Sequence, residues 1–96
     1  MISREAKIAE RQVTILNELG FHVRPATDFA EIASRFSSHI TLGMEGGRQF
    51  NAKSSIDLLM LAAVAGTKLI LRAEGEDAQE AVDTLARLIQ DKFGEE

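Results

Sequence analysis

The sequence contains no cysteine, tyrosine or tryptophan, and these absences exclude several classes of site. Without cysteine the chain can form no disulfide framework and no thiolate zinc site, and it has no thiol nucleophile. Its two histidines are too few for a typical multi-histidine metal centre. We therefore predict that the chain binds no metal and carries no cofactor.

The chain is also poor in the features that bind nucleic acids. Its five phenylalanines are its only large aromatic side chains, which provides little surface on which bases could stack. The formal net charge is −4, whereas a nucleic-acid partner favours an excess of lysine and arginine that neutralises its phosphates. We predict no nucleic-acid partner.

Long apolar runs are missing as well. Residues 1–10 are charged and lack the apolar core of a signal peptide. The richest apolar stretch, residues 56–65, is too short to span a bilayer and is interrupted by Asp57. We predict a cytoplasmic protein without membrane insertion, although export by another route stays open.

The chain is long enough for one domain. Its 96 residues leave room for a single modest core, and a hydrophobic fraction of 45% is ordinary for a globular protein. No internal repeat, low-complexity tract or linker divides it, so we expect one domain over residues 1–96. Residues 1–9 are polar and are predicted to be frayed or to extend into the first strand.

Hydrophobic periodicity predicts the element order β-α-β-β-α-β-α. Alternating patterns indicate strands, and apolar residues at three- and four-residue spacing indicate helices. The simplest packing is an α+β two-layer open-faced sandwich, a four-stranded, mostly antiparallel sheet with three helices on one face. The predicted strands are residues 10–16, 40–44, 48–51 and 68–74, and the predicted helices begin at residues 25, 54 and 78.

The predicted second helix carries signals at both ends. Ser54 is a plausible N-cap, and Asp57 three residues later resembles a capping box with aspartate in place of glutamate. Gly66 suits a C-terminal cap.

His22 and Arg24 stand two residues apart, immediately ahead of Pro25 and the first predicted helix. Proline is favoured in a first helical turn, so His22 is expected at or just before the helix N-terminus. Unpaired backbone N–H groups and the positive end of the helix dipole make an anion site there. Spacing alone leaves open the alternative of an ordinary capped helix with a surface histidine.

Two blocks together resemble a known family. Residues 20–27 read Gly-Phe-His-Val-Arg-Pro-Ala-Thr, similar to the Gly-Leu-His-Ala-Arg-Pro-Ala signature of HPr. This family contains the histidine-containing phosphocarriers of the bacterial phosphoenolpyruvate:sugar phosphotransferase system. Residues 51–56 look like the family's serine region, and the likeness covers roughly residues 10–93. Residues 56–61 are closer to the nitrogen-related branch of the family.

The resemblance implies roles for individual residues. His22 matches the phosphorylated histidine, and Arg24 matches the arginine that stabilises its phosphate. Ser54 matches the serine that a dedicated kinase modifies in many Gram-positive members. Ser55 departs from the isoleucine or leucine that commonly follows, which leaves open which serine, if either, is modified.

The function implied by the resemblance is that of a phosphocarrier. His22 would accept phosphate from enzyme I, charged by phosphoenolpyruvate, and pass it to IIA-type acceptors for sugar uptake or regulation. Such a protein is a carrier more than an independent catalyst. The alternative is a non-transferring regulatory module of the same fold, controlled through Ser54 by a serine kinase/phosphorylase. We expect a monomer.

Docking to such partners requires an exposed surface near His22. Thr27 and two positions of the second helix, Ile56 and Leu59, are predicted to provide it. Whether Ile56 and Leu59 are exposed or belong to the core stays open, whereas Leu58 and Leu61 are predicted to be core. His39 is interpreted as a surface strand residue.

Overall fold

The computed structural model describes residues 7–95 and has the predicted order of elements. They are followed by one 3₁₀ turn, Lys92–Gly94. The strands are β1 (Ile8–Thr14), β2 (His39–Gly43), β3 (Gln49–Asn51) and β4 (Lys68–Glu74), and the helices are α1 (Val23–Ala33), α2 (Ser55–Leu61) and α3 (Ala78–Gln90).

The four strands form one sheet in the order β1-β4-β2-β3, and every neighbouring pair is antiparallel. In the register, Val13 lies opposite Leu69, and Leu42 lies opposite Leu71. These residues are buried, whereas the alternate positions, such as Glu10 and its partner Arg72, face the open side. The predicted open-faced sandwich is therefore confirmed.

The helices bury small and branched residues against the apolar face of the sheet. In α1 the buried side chains include Phe29, which is fully inaccessible, and in α3 they include Leu85. An aromatic cluster joins the segment before α1 and α1 itself to the 3₁₀ turn after α3. The ring of Phe21 lies 5.6 Å from that of Phe29 and 5.3 Å from that of Phe93, measured between centroids.

The structure shifts several predicted boundaries by one or two residues, and β1 runs over residues 8–14 rather than 10–16. Strand β1 already includes Ile8, so the frayed alternative is wrong at that residue, while residues 1–6 lie outside the described part of the chain. Helix α1 begins at Val23, two residues before the predicted start at residue 25, and ends at Ala33. The side chain of Ser34 donates to the carbonyl oxygen of Ala30 at 2.8 Å, and such competition with the backbone is common where helices end.

The predicted cap at Gly66 is wrong. Helix α2 ends at Leu61, and Ala62 takes the left-handed cap conformation with φ 54°. The next residue, Ala63, uses its carbonyl oxygen to accept the N–H of Phe21 at 2.9 Å, so the chain that follows α2 lies against the His22 loop. Gly66 instead lies in the following turn, where its N–H donates to Ile15.

Asp77 ties the start of α3 to the end of the α1–β2 loop. Its carboxylate accepts the backbone N–H groups of Ser37 and Ser38 at 2.9 and 3.0 Å, and also the hydroxyl of Ser38. The Ser38 hydroxyl and these N–H groups stabilise the charged form, and they lower the pKa of Asp77 from 3.8 to about 2.

This contact predicts a pH-dependent contribution to stability. Because the pKa of Asp77 is lower in the folded protein, its contribution is complete above about pH 4 and is lost as the pH falls through about 2. We expect Asp77→Asn to reduce the free energy of unfolding at neutral pH and to differ much less from wild type near pH 2. Urea unfolding across this range measures the difference.

Asp83→Asn, which changes an exposed carboxylate on the same helix, is the control. A difference between wild type and Asp77→Asn that stays constant from pH 7 to pH 2 would contradict the assigned role of the carboxylate.

Candidate functional site

His22 is the N-cap of α1, as the sequence predicts. Its backbone is extended, with φ −112° and ψ −169°, and its carbonyl oxygen accepts the N–H of Ala26 at 3.0 Å. The side chain makes no capping hydrogen bond. The imidazole is therefore free to serve another purpose beside the positive end of the helix.

The loop that delivers His22 is held against the segment after α2. Gly20 has φ +69°, and a Cβ there would collide with the backbone of Ala63 and come within 2.9 Å of the Cα of Val64. The neighbouring Phe21 N–H donates to Ala63. Glycine is required here both by its left-handed backbone and by this close approach.

A carboxylate that the sequence reasoning missed lies at the centre of the site. The Oε2 atom of Glu95 lies 2.7 Å from Nε2 of His22 and accepts Nη2 of Arg24 at 2.9 Å. Its Oε1 atom accepts the side-chain N–H of Asn17 at 2.9 Å. The structure thus brings His22 and Arg24 together on one oxygen atom.

Arg24 makes two further contacts. Its Nη2 donates to the carbonyl oxygen of Phe93 at 3.3 Å, and its Nη1 donates to Asp28 at 3.4 Å. The Arg24 side chain is 53% exposed, whereas that of Glu95 is only 15% exposed. Arg24 is therefore accessible to an anion from solvent, while Glu95 is enclosed.

Asn17 anchors the enclosed carboxylate. Its side chain is fully buried, and its amide also donates to the carbonyl oxygen of Gly20 at 2.7 Å. Among the described residues, its Oδ1 atom has no hydrogen-bond partner. Asn17 was not among the site residues predicted from the sequence.

The surroundings of Glu95 favour its charged form. The Asn17 amide, followed by His22 and Arg24, lowers the pKa of Glu95 below 4.5 in spite of partial burial. The anion site predicted from the sequence therefore contains an anion of the chain itself at neutral pH. A site built in this way can bind an oxyanion beside an imidazole.

Two residues of the 3₁₀ turn place Glu95 there. Lys92 and Phe93 have φ values of 57° and 55°, in the left-handed region. They reverse the chain after α3, so that the ring of Phe93 packs on Phe21 and Glu95 reaches His22. No pattern in the sequence indicated this reversal.

Ser54 is the N-cap of α2, as predicted, and its hydroxyl accepts the N–H of Asp57 at 3.2 Å. The reciprocal half of the predicted capping box does not form. The Ser54 N–H donates to the carbonyl oxygen of Asn51, and the Asp57 carboxylate accepts the Asn51 N–H at 3.3 Å instead.

The predicted docking residues are exposed. Thr27 is accessible on α1, and Ile56 and Leu59 are 69% and 38% exposed on α2. Leu58 and Leu61 are buried, as predicted. Further exposed apolar side chains, absent from the prediction, lie in the His22 region and in and after α2: Leu19, Val23, Met60 and Val64.

Other classes of site find no support in the described residues. His39 is exposed at the start of β2, as interpreted from the sequence. Over residues 7–95 no group of three or more acidic or histidine side chains could hold a metal ion. No helix in the same range has the length and apolarity needed to cross a membrane.

Comparison with known proteins gives a consistent result. The family profile described as "PTS HPr component phosphorylation site" matches residues 9–91. The phosphocarrier protein HPr of Cupriavidus necator is 41% identical over 86 residues, which cover 90% of this chain and 96% of that protein. The phosphocarrier protein NPr of Shewanella violacea is 43% identical over 86 residues, covering 90% and 93%.

Solved structures agree with these relatives. HPr-C-His from Thermoanaerobacter tengcongensis has a TM-score of 0.86 and 41% identity, and the match covers 92% of this chain and 98% of that one. Dimers also occur among the matching structures, so a monomer stays a prediction for this chain.

The cap at Ser54 gives a testable prediction. We expect Ser54→Ala to lower the free energy of unfolding by about 1 kcal/mol, because the N–H of Asp57 loses its acceptor. Ser55→Ala is the matched control and should have little effect, since Ser55 is already inside the helix. Urea denaturation of the three proteins measures both changes, and equal losses in the two variants would contradict the cap.

Proposed function

This chain belongs to the HPr family of histidine-containing phosphocarriers of the phosphotransferase system, and on that premise we propose that His22 carries the phosphoryl group. The donor in this proposal is enzyme I, charged by phosphoenolpyruvate, and the acceptors are IIA-type proteins. The protein then acts as a carrier between partners, because the partners supply most of the catalytic positioning.

The observation that carries the proposal is the convergence of His22 and Arg24 on one carboxylate oxygen. Their nitrogen atoms lie 2.7 and 2.9 Å from Oε2 of Glu95, which are distances typical of charge-assisted hydrogen bonds. A phosphoryl oxygen, like a carboxylate oxygen, is an anionic acceptor of hydrogen bonds from such groups. The two side chains can therefore serve one oxyanion together.

The chemistry follows from the position of His22. A lone pair on the neutral imidazole attacks phosphorus, a nitrogen–phosphorus bond forms, and the bond to the donor's leaving group breaks with its electron pair. The N-terminus of α1 stabilises the resulting dianion. Arg24 is half exposed and can leave Glu95 and Asp28 to donate to phosphate oxygens.

The partner surface in this proposal combines α1 and α2. Thr27, Ile56 and Leu59 are exposed, and the hydrogen bond from Phe21 to Ala63 joins the His22 loop to the end of α2. An apolar patch next to the phosphate site suits transient binding, since a partner can cover both at once.

Ser54 is the candidate for regulation. A phosphate on its hydroxyl adds negative charge at the N-terminus of α2, where the dipole tolerates it, and repels an acidic partner. Asp57 lies beside it and opposes this charge. Modification by a serine kinase/phosphorylase and the alternative of a non-transferring module stay predictions. Cytoplasmic location and the choice between sugar uptake and regulation are likewise expectations.

Phosphorylation in vitro tests the carrier role. Incubation with phosphoenolpyruvate and purified enzyme I should add one acid-labile phosphate, detected by intact mass, and His22→Ala should abolish it. We expect Arg24→Ala to slow labelling roughly tenfold to a hundredfold, because charged hydrogen bonds to phosphate are lost.

His39→Ala is the matched control and should be labelled to the same extent as wild type, because His39 is an exposed residue at the start of β2 and makes none of the contacts of the His22 site. Labelling that persists in His22→Ala would overturn the assignment. Absence of any label on wild type with a competent enzyme I would favour the non-transferring alternative.

The docking surface gives a separate prediction. We expect Ile56→Glu to raise about tenfold the KM of enzyme I for this protein as its substrate, with little change in kcat. The reason is that a charge would replace an apolar contact at the interface. Met44→Glu alters a similarly exposed apolar side chain just after β2 and should leave both constants unchanged. Equal effects of the two substitutions would contradict the proposed surface.

A further inference from the structure

We propose that Asp57 is a specificity-determining residue, because its carboxylate favours a phosphoryl donor that places a lysine or arginine opposite it. The partner surface that fits this chain is then apolar at its centre and basic where it meets the start of α2. This inference rests on the proposed carrier function and on the docking surface that includes Ile56. It adds to them the sign of the charge that the donor must present.

Asp57 lies beside the most exposed apolar side chains of α2. Residues three or four positions apart share one face of a helix, so both Asp57 and Ile56 are neighbours of Met60. Ile56 and Met60 are 69% and 55% exposed, and Asp57 is partly exposed. The carboxylate therefore lies at the rim of the apolar surface, which is where protein interfaces usually place polar groups.

The charge of Asp57 is not neutralised by another side chain of residues 7–95. Its Oδ2 atom accepts the backbone N–H of Asn51 at 3.3 Å, in an exposed hydrogen bond, and Asp57 is the only charged residue of α2. The cation nearest in sequence is Lys53, whose Nζ donates to the carbonyl oxygen of Phe36 at 2.7 Å. Lys53 is therefore engaged at the end of the α1 segment.

The carboxylates of α1 differ from Asp57 in this respect. Asp28 lies 3.4 Å from Arg24, and Glu31 lies 3.7 Å from Arg35. Of the described carboxylates on the two helices of the docking surface, Asp57 alone has no cation beside it. Complementary charge at the rim of an interface speeds association and fixes orientation, whereas like charge excludes a partner. A basic side chain on the donor is therefore attracted here, and an acidic one is repelled.

The role in docking can be separated from the role of Asp57 in its helix. A negative charge in the first turn also stabilises the helix itself. The backbone N–H of Asp57 donates to Ser54 at 3.2 Å, and its side chain accepts from Asn51. Asparagine retains both hydrogen bonds, so Asp57→Asn removes the charge with little change in structure.

The test measures labelling of the full chain by enzyme I at subsaturating concentrations over a range of ionic strength. At low salt we expect kcat/KM to fall about threefold in Asp57→Asn and about tenfold in Asp57→Lys, which is the scale of exposed charge pairs. Both differences should vanish near 1 M salt, where the Debye length is about 3 Å. Asp57→Glu keeps the charge and should restore most of the wild-type value.

Two controls separate docking from folding. Phosphoramidate phosphorylates histidine without a protein partner, so the Asp57 variants should react with it at the wild-type rate. Asp83→Asn makes the same change of charge on the exposed side of α3 and should keep the wild-type kcat/KM at every ionic strength.

Three results would contradict the proposals, each in a different way. Equal kcat/KM for wild type and Asp57→Asn at low salt, or a higher value in Asp57→Lys, would overturn the inference and leave the carrier function intact. Equal slowing with enzyme I and with phosphoramidate would show that Asp57 acts only through the fold, which also overturns it. Absence of label on wild type with a competent enzyme I would contradict the carrier function, and with it the choice of donor.

Discussion

The site depends on one hydrogen bond between two loops, from the N–H of Phe21 to the carbonyl oxygen of Ala63. It fixes the residue before the N-cap histidine to the chain that leaves α2. Gly20 makes this possible, because any side chain there would overlap the backbone of Ala63. The His22 loop and the segment that follows α2 are therefore one structural unit.

Much of the fold could be predicted from the sequence because its signals are local. Val13 and Leu69 lie in alternating patterns that predict strands, and Ser54 precedes Asp57 by the three residues of an N-cap. The predictions were wrong where a tertiary contact decides the outcome. At the end of α2 the cap is Ala62 rather than Gly66, and the chain beyond it is held by the bond to Phe21, which no local pattern contains.

In the candidate site, too, the residues marked by a local pattern could be predicted and those placed by tertiary contacts could not. His22 and Arg24 could be found because they lie together beside Pro25 at a helix start. Glu95 could not, because its contact with His22 spans almost the whole chain and depends on two non-glycine residues in left-handed conformations. Asn17 looked like an ordinary turn residue, since only burial reveals its role. His22 and Arg24 are neighbours in the sequence, whereas the residues that contact and hold them in the fold come from distant positions.

The strand order has a consequence for how the chain folds. Strand β1 pairs only with β4, in a register that places Thr14 opposite Lys68 and Ile8 opposite Glu74. On a ribosome, the first strand therefore has no hydrogen-bonding partner until most of the domain has been synthesised. Closing the long loop between β1 and β4 costs conformational entropy before the strands form stabilising contacts. Pairings between strands so far apart in sequence slow folding. The His22 loop follows β1 directly, and its contacts with Ala63 and Glu95 likewise require residues from far along the chain.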